Sequence, residues 1–323
     1  MNAPLPESIR KALESASLDD KYSLDHGRAF MSGVQALVRL PMLQRQRDLA
    51  AGLNTGGFIS GYRGSPLGMY DNALWGAKRY LKENNIHFQP GLNEDLAATA
   101  VWGSQEATLF EAKVDGVFGL WYSKGPGIDR SGDALRHANL WGTSQHGGVI
   151  MAVGDDPMSR SSSIQQQSEH TLAGLCIPVF YAANVQDIYD YGLLGWQLSR
   201  YAGVWVGIKS VSDIYESWYP VDTDPARNTA VLPTDHTIPA VGVHTRWPDR
   251  SVRRGCCPPR DSRAPARTRD KPTRRHESAE AMPSHHAMHA QKNKQQPRSS
   301  GGTDLGGHAP PHASTRGRPV MPR

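Results

Sequence analysis

The sequence predicts an α/β protein. It should form a single three-layer domain on a mostly parallel sheet of about six strands, followed by a tail with no core. Three observations carry this expectation. First, short apolar runs alternate with longer helical patterns through residues 58–208. Near-continuous apolar runs mark parallel strands covered on both faces. Second, the six runs fall within about 160 residues, the span of one α/β domain. Third, all 25 aromatic residues precede position 251. Residues 251–323 hold only Val252, Leu305 and Val320 among Ile, Leu, Val and Phe. Such a segment cannot bury enough apolar surface to fold.

Residues 1–22 read as a weakly ordered lead-in, polar and charged throughout. Asp25 is placed to cap a helix whose apolar face is Phe30, Val34, Leu37 and Val38, kinked or restarted at Pro41 and ended near Gly52 or Asn54. Phe58–Tyr62 is the first buried strand and runs into the loop from Gly61 to Gly68, followed by a helical stretch to about Asn84. Residues 86–88 form a second strand, leading to a helix entered at 91–95. Residues 117–122 form a third, followed by Ser-Lys-Gly-Pro-Gly and a helix from about 129 to 141. The remaining strands are 149–153, 178–181 and 204–208, with a helix from about 185 to 201 before the last. Residues 221–250 read as the start of a linker.

Ligands of such sheets bind beyond the carboxyl ends of the strands. Four loops are expected to converge there: 61–68, 89–95, 123–130 and 154–163. Within them Glu94 stands out. Gly91 or Asn93 can cap its helix, and Glu94 and Asp95 in the first turn suit the helix dipole. Ala98, Val101 and Gln105 follow Glu94 at i+4, i+7 and i+11, which sets Glu94 on or beside the apolar stripe. A carboxylate against an apolar wall has its neutral form favoured, one way to make a proton donor. A solvated residue serving only the helix dipole is the plainer reading of the same position.

Other chemistries fit less well. The glycines at 61, 64 and 68 match neither a dinucleotide fingerprint nor a Walker loop. Asp155-Asp156-Pro157 could hold a metal, but Asp-Pro after a strand is ordinary turn chemistry. His137 and His146 lack ligand spacing, and no Cys-x-x-Cys pair exists, so no metal site is expected. The net charge of +5 divides into −5 for residues 1–250 and +10 for residues 251–323. The basic balance therefore belongs to the tail, which has no interleaved aromatic residues, and nucleic acid is not expected as a partner. Neither a signal-peptide core nor an apolar run of about 18 residues occurs, so no membrane span is expected and a cytoplasmic location fits.

Residues from about 23 to 249 resemble the N-terminal part of the fused indolepyruvate ferredoxin oxidoreductase family. The segments that carry the resemblance are Gln35–Pro41, Gly57–Gly68, Asn93–Trp102, Lys124–Asn139 and Gly192–Tyr201. The resemblance implies that residues 23–220 are the pyrimidine-binding domain of a thiamine-diphosphate enzyme. Such enzymes oxidatively decarboxylate aryl 2-oxoacids, use coenzyme A and pass electrons to ferredoxin. Glu94 matches the family glutamate that bonds the pyrimidine ring nitrogen. A proton shared there turns the exocyclic nitrogen into the base that deprotonates the thiazolium carbon. Ser65 and Gly64 fall in the family's first loop, near cofactor and substrate. Arg63 and Lys124 are read as contacts for a substrate carboxylate.

The resemblance also implies what lies elsewhere. The magnesium–diphosphate motif, Gly-Asp-Gly with a later Asn, is not matched by Gly-Asp-Ala at 132–134 or Gly-Asp-Asp at 154–156. Ligands for magnesium and for an iron–sulfur cluster are thus expected in other domains of a full-length, homo-oligomeric family member, and this chain alone is expected to be inactive. The likeness ends near Asp249, and the Arg-, Pro-, Ser- and His-rich composition after it is that of GC-rich DNA read out of frame. The expectation is a truncated gene with a frameshifted tail; a native basic tail is the alternative. For the domain itself, the rival is a non-catalytic binding or regulatory module that keeps the fold.

Overall fold

The computed structural model describes residues 5–159, 163–227 and 230–233. The segment 251–323, and most of the expected linker 221–250, lie outside the described residues.

In chain order the elements are α1 (Glu7–Ser15), α2 (Asp20–Ser23), β1 (Arg28–Ser32), α3 (Gly33–Ala50), β2 (Gly56–Gly61), α4 (Tyr70–Gly76) and α5 (Lys78–Glu83). Then follow β3 (Ile86–Phe88), α6 (Glu94–Gln105), β4 (Val117–Lys124), α7 (Gly125–Arg130), α8 (Gly132–Trp141) and β5 (Val149–Asp155). The last are α9 (Ser168–Gly174), β6 (Val179–Tyr181), α10 (Val185–Ala202), β7 (Trp205–Val211), α11 (Ser212–Tyr215) and β8 (Trp218–Asp222).

Six strands form one sheet in the order β3-β2-β4-β5-β7-β6, and every neighbouring pair is parallel. These are the six strands the apolar runs predict. Helices cover both faces, because a central parallel strand exposes neither side to water. One buried cluster joins α3, α4 and α10 to the sheet through Leu37, Leu40, Leu74, Leu193 and Trp196. The other joins α6, α8 and α9 to the opposite face through Ala98, Val101, Leu135 and Leu172. Two indoles tie the layers by hydrogen bonds: Trp196 donates to the Gly119 carbonyl at 3.1 Å, and Trp121 to the Glu94 carbonyl at 3.1 Å.

Three local expectations are corrected. Asp25 does not cap the first long helix. Residues 28–32 are strand β1, paired antiparallel with β8 outside the main sheet. Phe30 sits on that strand, 65% exposed and stacked on Trp218, not on a helical face. The cap moves seven residues on, from 25 to 32, because Ser32 and Gln35 close a capping box, each side chain bonding the other's backbone N–H. Pro41 neither restarts nor ends α3. It removes the N–H that would bond Leu37, and the buried Tyr70 hydroxyl donates to that Leu37 carbonyl at 3.2 Å. The helix expected over 129–141 is two, broken at Ser131.

At the edge where strands begin, an ion pair is largely buried. Arg200 of α10 grips the Asp48 carboxylate at 2.7 and 2.8 Å, and Gln44 and Thr55 donate to the same carboxylate at 2.9 and 2.7 Å. Arg200 also donates to the carbonyls of Gly147 and His146. At the N-terminus, the buried Arg39 guanidinium donates to the Tyr189 hydroxyl and to the Leu24 carbonyl, holding the 20–25 segment against α3 and α10.

Removing one partner of a buried pair leaves an uncompensated charge. Asp48→Asn or Arg200→Met should each lower unfolding stability by about 3–5 kcal/mol in urea titrations, and the double variant should lose less than the sum. A second measurement concerns pH. Burial, and next the Arg200 guanidinium, lower the pKa of His146 below its ordinary value. The folded state therefore resists protonation there, and the unfolded state does not. Stability from this residue is complete above the ordinary histidine range and falls as pH drops below about 6.5. His146→Gln should flatten the loss of stability between neutral pH and pH 5.5.

Candidate active site

A sheet of parallel strands sends all its chain exits to one edge. Here β2 delivers Tyr62–Gly68, β3 delivers Gln89–Asn93, β4 delivers α7, and β5 delivers Asp156 onward. Contacts join these exits to each other. The Gly91 N–H donates to the Gly61 carbonyl at 2.9 Å, and the Tyr62 N–H to the Tyr122 carbonyl at 3.1 Å. The stem of Lys124 lies over Gly64, with its Cδ 2.8 Å from where a methyl on that glycine would sit. The four loops converge on one edge, as the strand pattern predicts.

Glu94 is the first residue of α6. The Asn93 side chain caps the helix by accepting the Leu96 N–H at 2.8 Å. Ala97, Ala98, Val101 and Gln105 are its buried face. The Glu94 side chain follows that stripe and is 13% exposed. It lies against the turn that opens α7: a methyl on Gly127 would be 2.5 Å from Glu94 Cγ and would also strike the Ser123 hydroxyl. Only the lack of a side chain at 127 lets the carboxylate reach this position. Arg130 Nε stands 3.9 Å from Glu94 Oε2, with its own side chain 57% exposed. Neither carboxylate oxygen has a hydrogen-bond donor among the described residues.

The other expected site residues are placed as follows. Gly64 and Lys124 are half-buried and in contact with each other. Ser65 is half-buried ahead of a buried Pro66. Arg63 is exposed on the same loop. No hydrogen bond or ion pair joins Arg63 or Ser65 to Glu94 among the described residues. Beneath the loop, the Tyr122 hydroxyl donates to Asp71 at 2.6 Å; burial, and then this bond, push the phenol well above its ordinary range.

Two features escape a reading of the sequence. Arg130 reaches Glu94 from the following helix, a relation that depends on the turn at 125–127. Buried Asp155, at the end of β5, pairs at 3.1 Å with buried Lys209 of β7, and Lys209 also bonds Glu169 of α9. Asp155 accepts hydrogen bonds from the Ser168 backbone and hydroxyl. It thus serves the chain's own groups, and the described residues hold no cluster of three His, Cys, Asp or Glu fit for a metal. A lysine closing the run Val206-Gly207-Ile208 was the only signal, because a charge at the end of a buried strand calls for a partner. Exposed apolar side chains stand on the segments around this edge: Tyr62, Met69, Leu92, Leu96, Met158 and Ile164. No helix among the described residues is long and apolar enough to cross a membrane.

No family model matches the sequence. The indolepyruvate oxidoreductase subunit IorA of Methanothermobacter marburgensis is 26% identical over 185 residues, covering 57% of this chain and 26% of that protein. The same subunit of Methanothermobacter thermautotrophicus is 22% identical over 177 residues, covering 54% and 26%. Among solved structures, the 2-oxoglutarate:ferredoxin oxidoreductase of Magnetococcus marinus aligns with 66% of this chain and 35% of its own at 16% identity and a TM-score of 0.48. The chain spans about a quarter of the length of the curated relatives it matches. Both sequence matches are to the same subunit, and they show a distant similarity of this chain to part of it.

Proposed function

We propose that residues 23–220 are the pyrimidine-binding module of an aryl 2-oxoacid ferredoxin oxidoreductase of the indolepyruvate type, and that Glu94 is its acid. One observation carries the reading. The Glu94 carboxylate is 13% exposed, yet neither oxygen is given a hydrogen bond by the described residues. A carboxylate that the fold places but does not bond, and that is not sealed from water, is open to a ligand and asks of it a group that can bond a carboxyl. The aminopyrimidine half of thiamine diphosphate fits that demand, because its ring nitrogen can share a proton with a carboxyl group.

When bound, the cofactor would supply the nucleophilic carbon and the electron sink for loss of the substrate carboxylate. The chain's own residues do the rest. Glu94 would share a proton with the ring nitrogen of the bound aminopyrimidine. Gly127 keeps the wall beside the carboxylate clear, and Ser65 and Gly64 line the first loop of the cleft. Lys124, and Arg63 on the rim, offer cationic groups for a substrate carboxylate. The exposed apolar side chains around this edge support a further domain that covers it and brings the ligands for magnesium, the diphosphate and an iron–sulfur cluster. In the complete assembly the reaction is oxidative decarboxylation of a 2-oxoacid to its acyl-coenzyme A, with electrons to ferredoxin. We read residues 251–323 as an out-of-frame product; resequencing the gene near codon 250 tests this, and a confirmed intact frame sinks it.

Supplying the remaining domains of a related oxidoreductase together with this chain should restore arylpyruvate oxidation. Glu94→Gln in that assembly should lower kcat/KM by about 10²–10⁴-fold, the usual contribution of a positioned proton donor. A Gln variant as fast as the parent removes Glu94 from the mechanism. Gly127→Ala forces a methyl into Glu94 and Ser123. It should lower activity in the same assay and cost about 1–3 kcal/mol in thermal unfolding, the usual cost of overpacking.

A further inference from the structure

Lys209 lies two residues before the end of β7, on the side of the sheet where the candidate site stands, and is 5% exposed. Its ammonium pairs with Asp155 Oδ2 at 3.1 Å, bonds Glu169 and lies 4.8 Å over the Tyr181 ring. Burial pulls the Lys209 pKa down, but the hydrogen bonds with Glu169 and Asp155 outweigh it and leave it raised. Glu169 moves the opposite way: burial raises its pKa, and the bond to Lys209 brings it below its ordinary value. Both carboxylates lead to the first turn of α9. Glu169 is its second residue, and Asp155 binds the N–H and the hydroxyl of Ser168, its first. Two residues upstream, Gln166 packs on α7. Its Cβ is 2.7 Å and its Cγ 3.1 Å from where a methyl on Gly125 would lie. Thr171 of α9 also donates to Asp129 of α7 at 3.1 Å. The Gly125–Gly127 turn is therefore pressed between Gln166 on one side and Glu94 on the other.

We propose that Lys209 is a positioning residue for this site. Through Asp155 and Glu169 it holds the start of α9, so that Gln166 keeps the Gly125–Gly127 turn closed against Glu94. The inference rests on Glu94 being the working group of the proposed module, but its test needs no cofactor, so the two readings fail separately.

The test is carbodiimide labelling of Glu94 in the intact chain, followed by mass spectrometry, with hydrogen exchange of residues 125–130 measured in parallel. Lys209→Met should raise Glu94 labelling several-fold and quicken exchange at 125–130. Lys209→Arg, which keeps the cation, should return both towards the parent. Thr55→Val serves as a control that weakens the Asp48 cluster at the opposite edge of the sheet; it should leave Glu94 labelling unchanged. If Lys209→Met does not fold, Glu169→Gln, which spares the Asp155–Lys209 pair, should give a smaller rise at the same two places. Unchanged labelling with faster exchange confined to 168–174 and 205–211 would overturn the proposal. So would an equal rise in the Thr55→Val control.

Discussion

Parallel pairing of the six central strands is the constraint from which the rest follows. Each strand must be re-entered from the same end, so every crossover contributes one loop to one edge. Short strands leave little slack there. β3 has three residues, and the chain leaving it is pinned at once by the bond from Gly91 to the carbonyl that ends β2. That bond sets where α6 can start. The Trp121 indole from β4 fixes the same point from below by holding the Glu94 carbonyl. The backbone of the candidate acid is thus located by two strands, and its side chain by the missing Cβ at Gly127.

The acids at the two edges of the sheet are not all treated alike. At the edge where strands begin, Asp48 is 3% exposed and its carboxylate meets Arg200, Gln44 and Thr55. Every demand of that buried charge is met internally, the condition under which a buried ion pair can be held in a fold. Asp155, at the opposite edge, is met in the same way by Ser168 and Lys209. Glu94, also where strands end, is more open at 13% exposed and receives no hydrogen bond from the described residues. Of these three acids, two are bonded by the fold, and Glu94 is the one that receives no hydrogen bond from the described residues.

The sheet was legible because parallel strands leave a one-dimensional signature: runs such as Val149–Val153 must be apolar on both faces. The pair β1 and β8 was not legible, because its residues alternate in exposure and lie 186 positions apart, from Ser32 to Trp218. Phe30 looked like a helical core position only while its partner Trp218 was out of view. Glu94 could be singled out because its relation to Ala98 and Val101 is local, fixed by the pitch of one helix. The turn at Gly127, the reach of Arg130 and the Lys209 cluster depend on contacts between distant elements, which no window of sequence contains. The resemblance reached Lys124 and Gly64 as separate motif residues; that one stem lies on the other is a fact of the fold.

Arg130 is the one cation in ion-pair range of Glu94 among the described residues, and the strength of that pair decides whether the carboxylate is available. Its Nε stands at 3.9 Å, beyond hydrogen-bond range, and its side chain is 57% exposed. An ion pair of that kind, on the water side, contributes about 0–1 kcal/mol. A ligand that offers a real N–H donor can therefore take the carboxylate from Arg130 at little cost. Arg130 would remain on the water side of the carboxylate, where its guanidinium adds positive potential for an anionic substrate approaching the edge. On this geometry the pair with Arg130 is a resting contact of the acid, and the closed turn at Gly127 is what holds the acid in place.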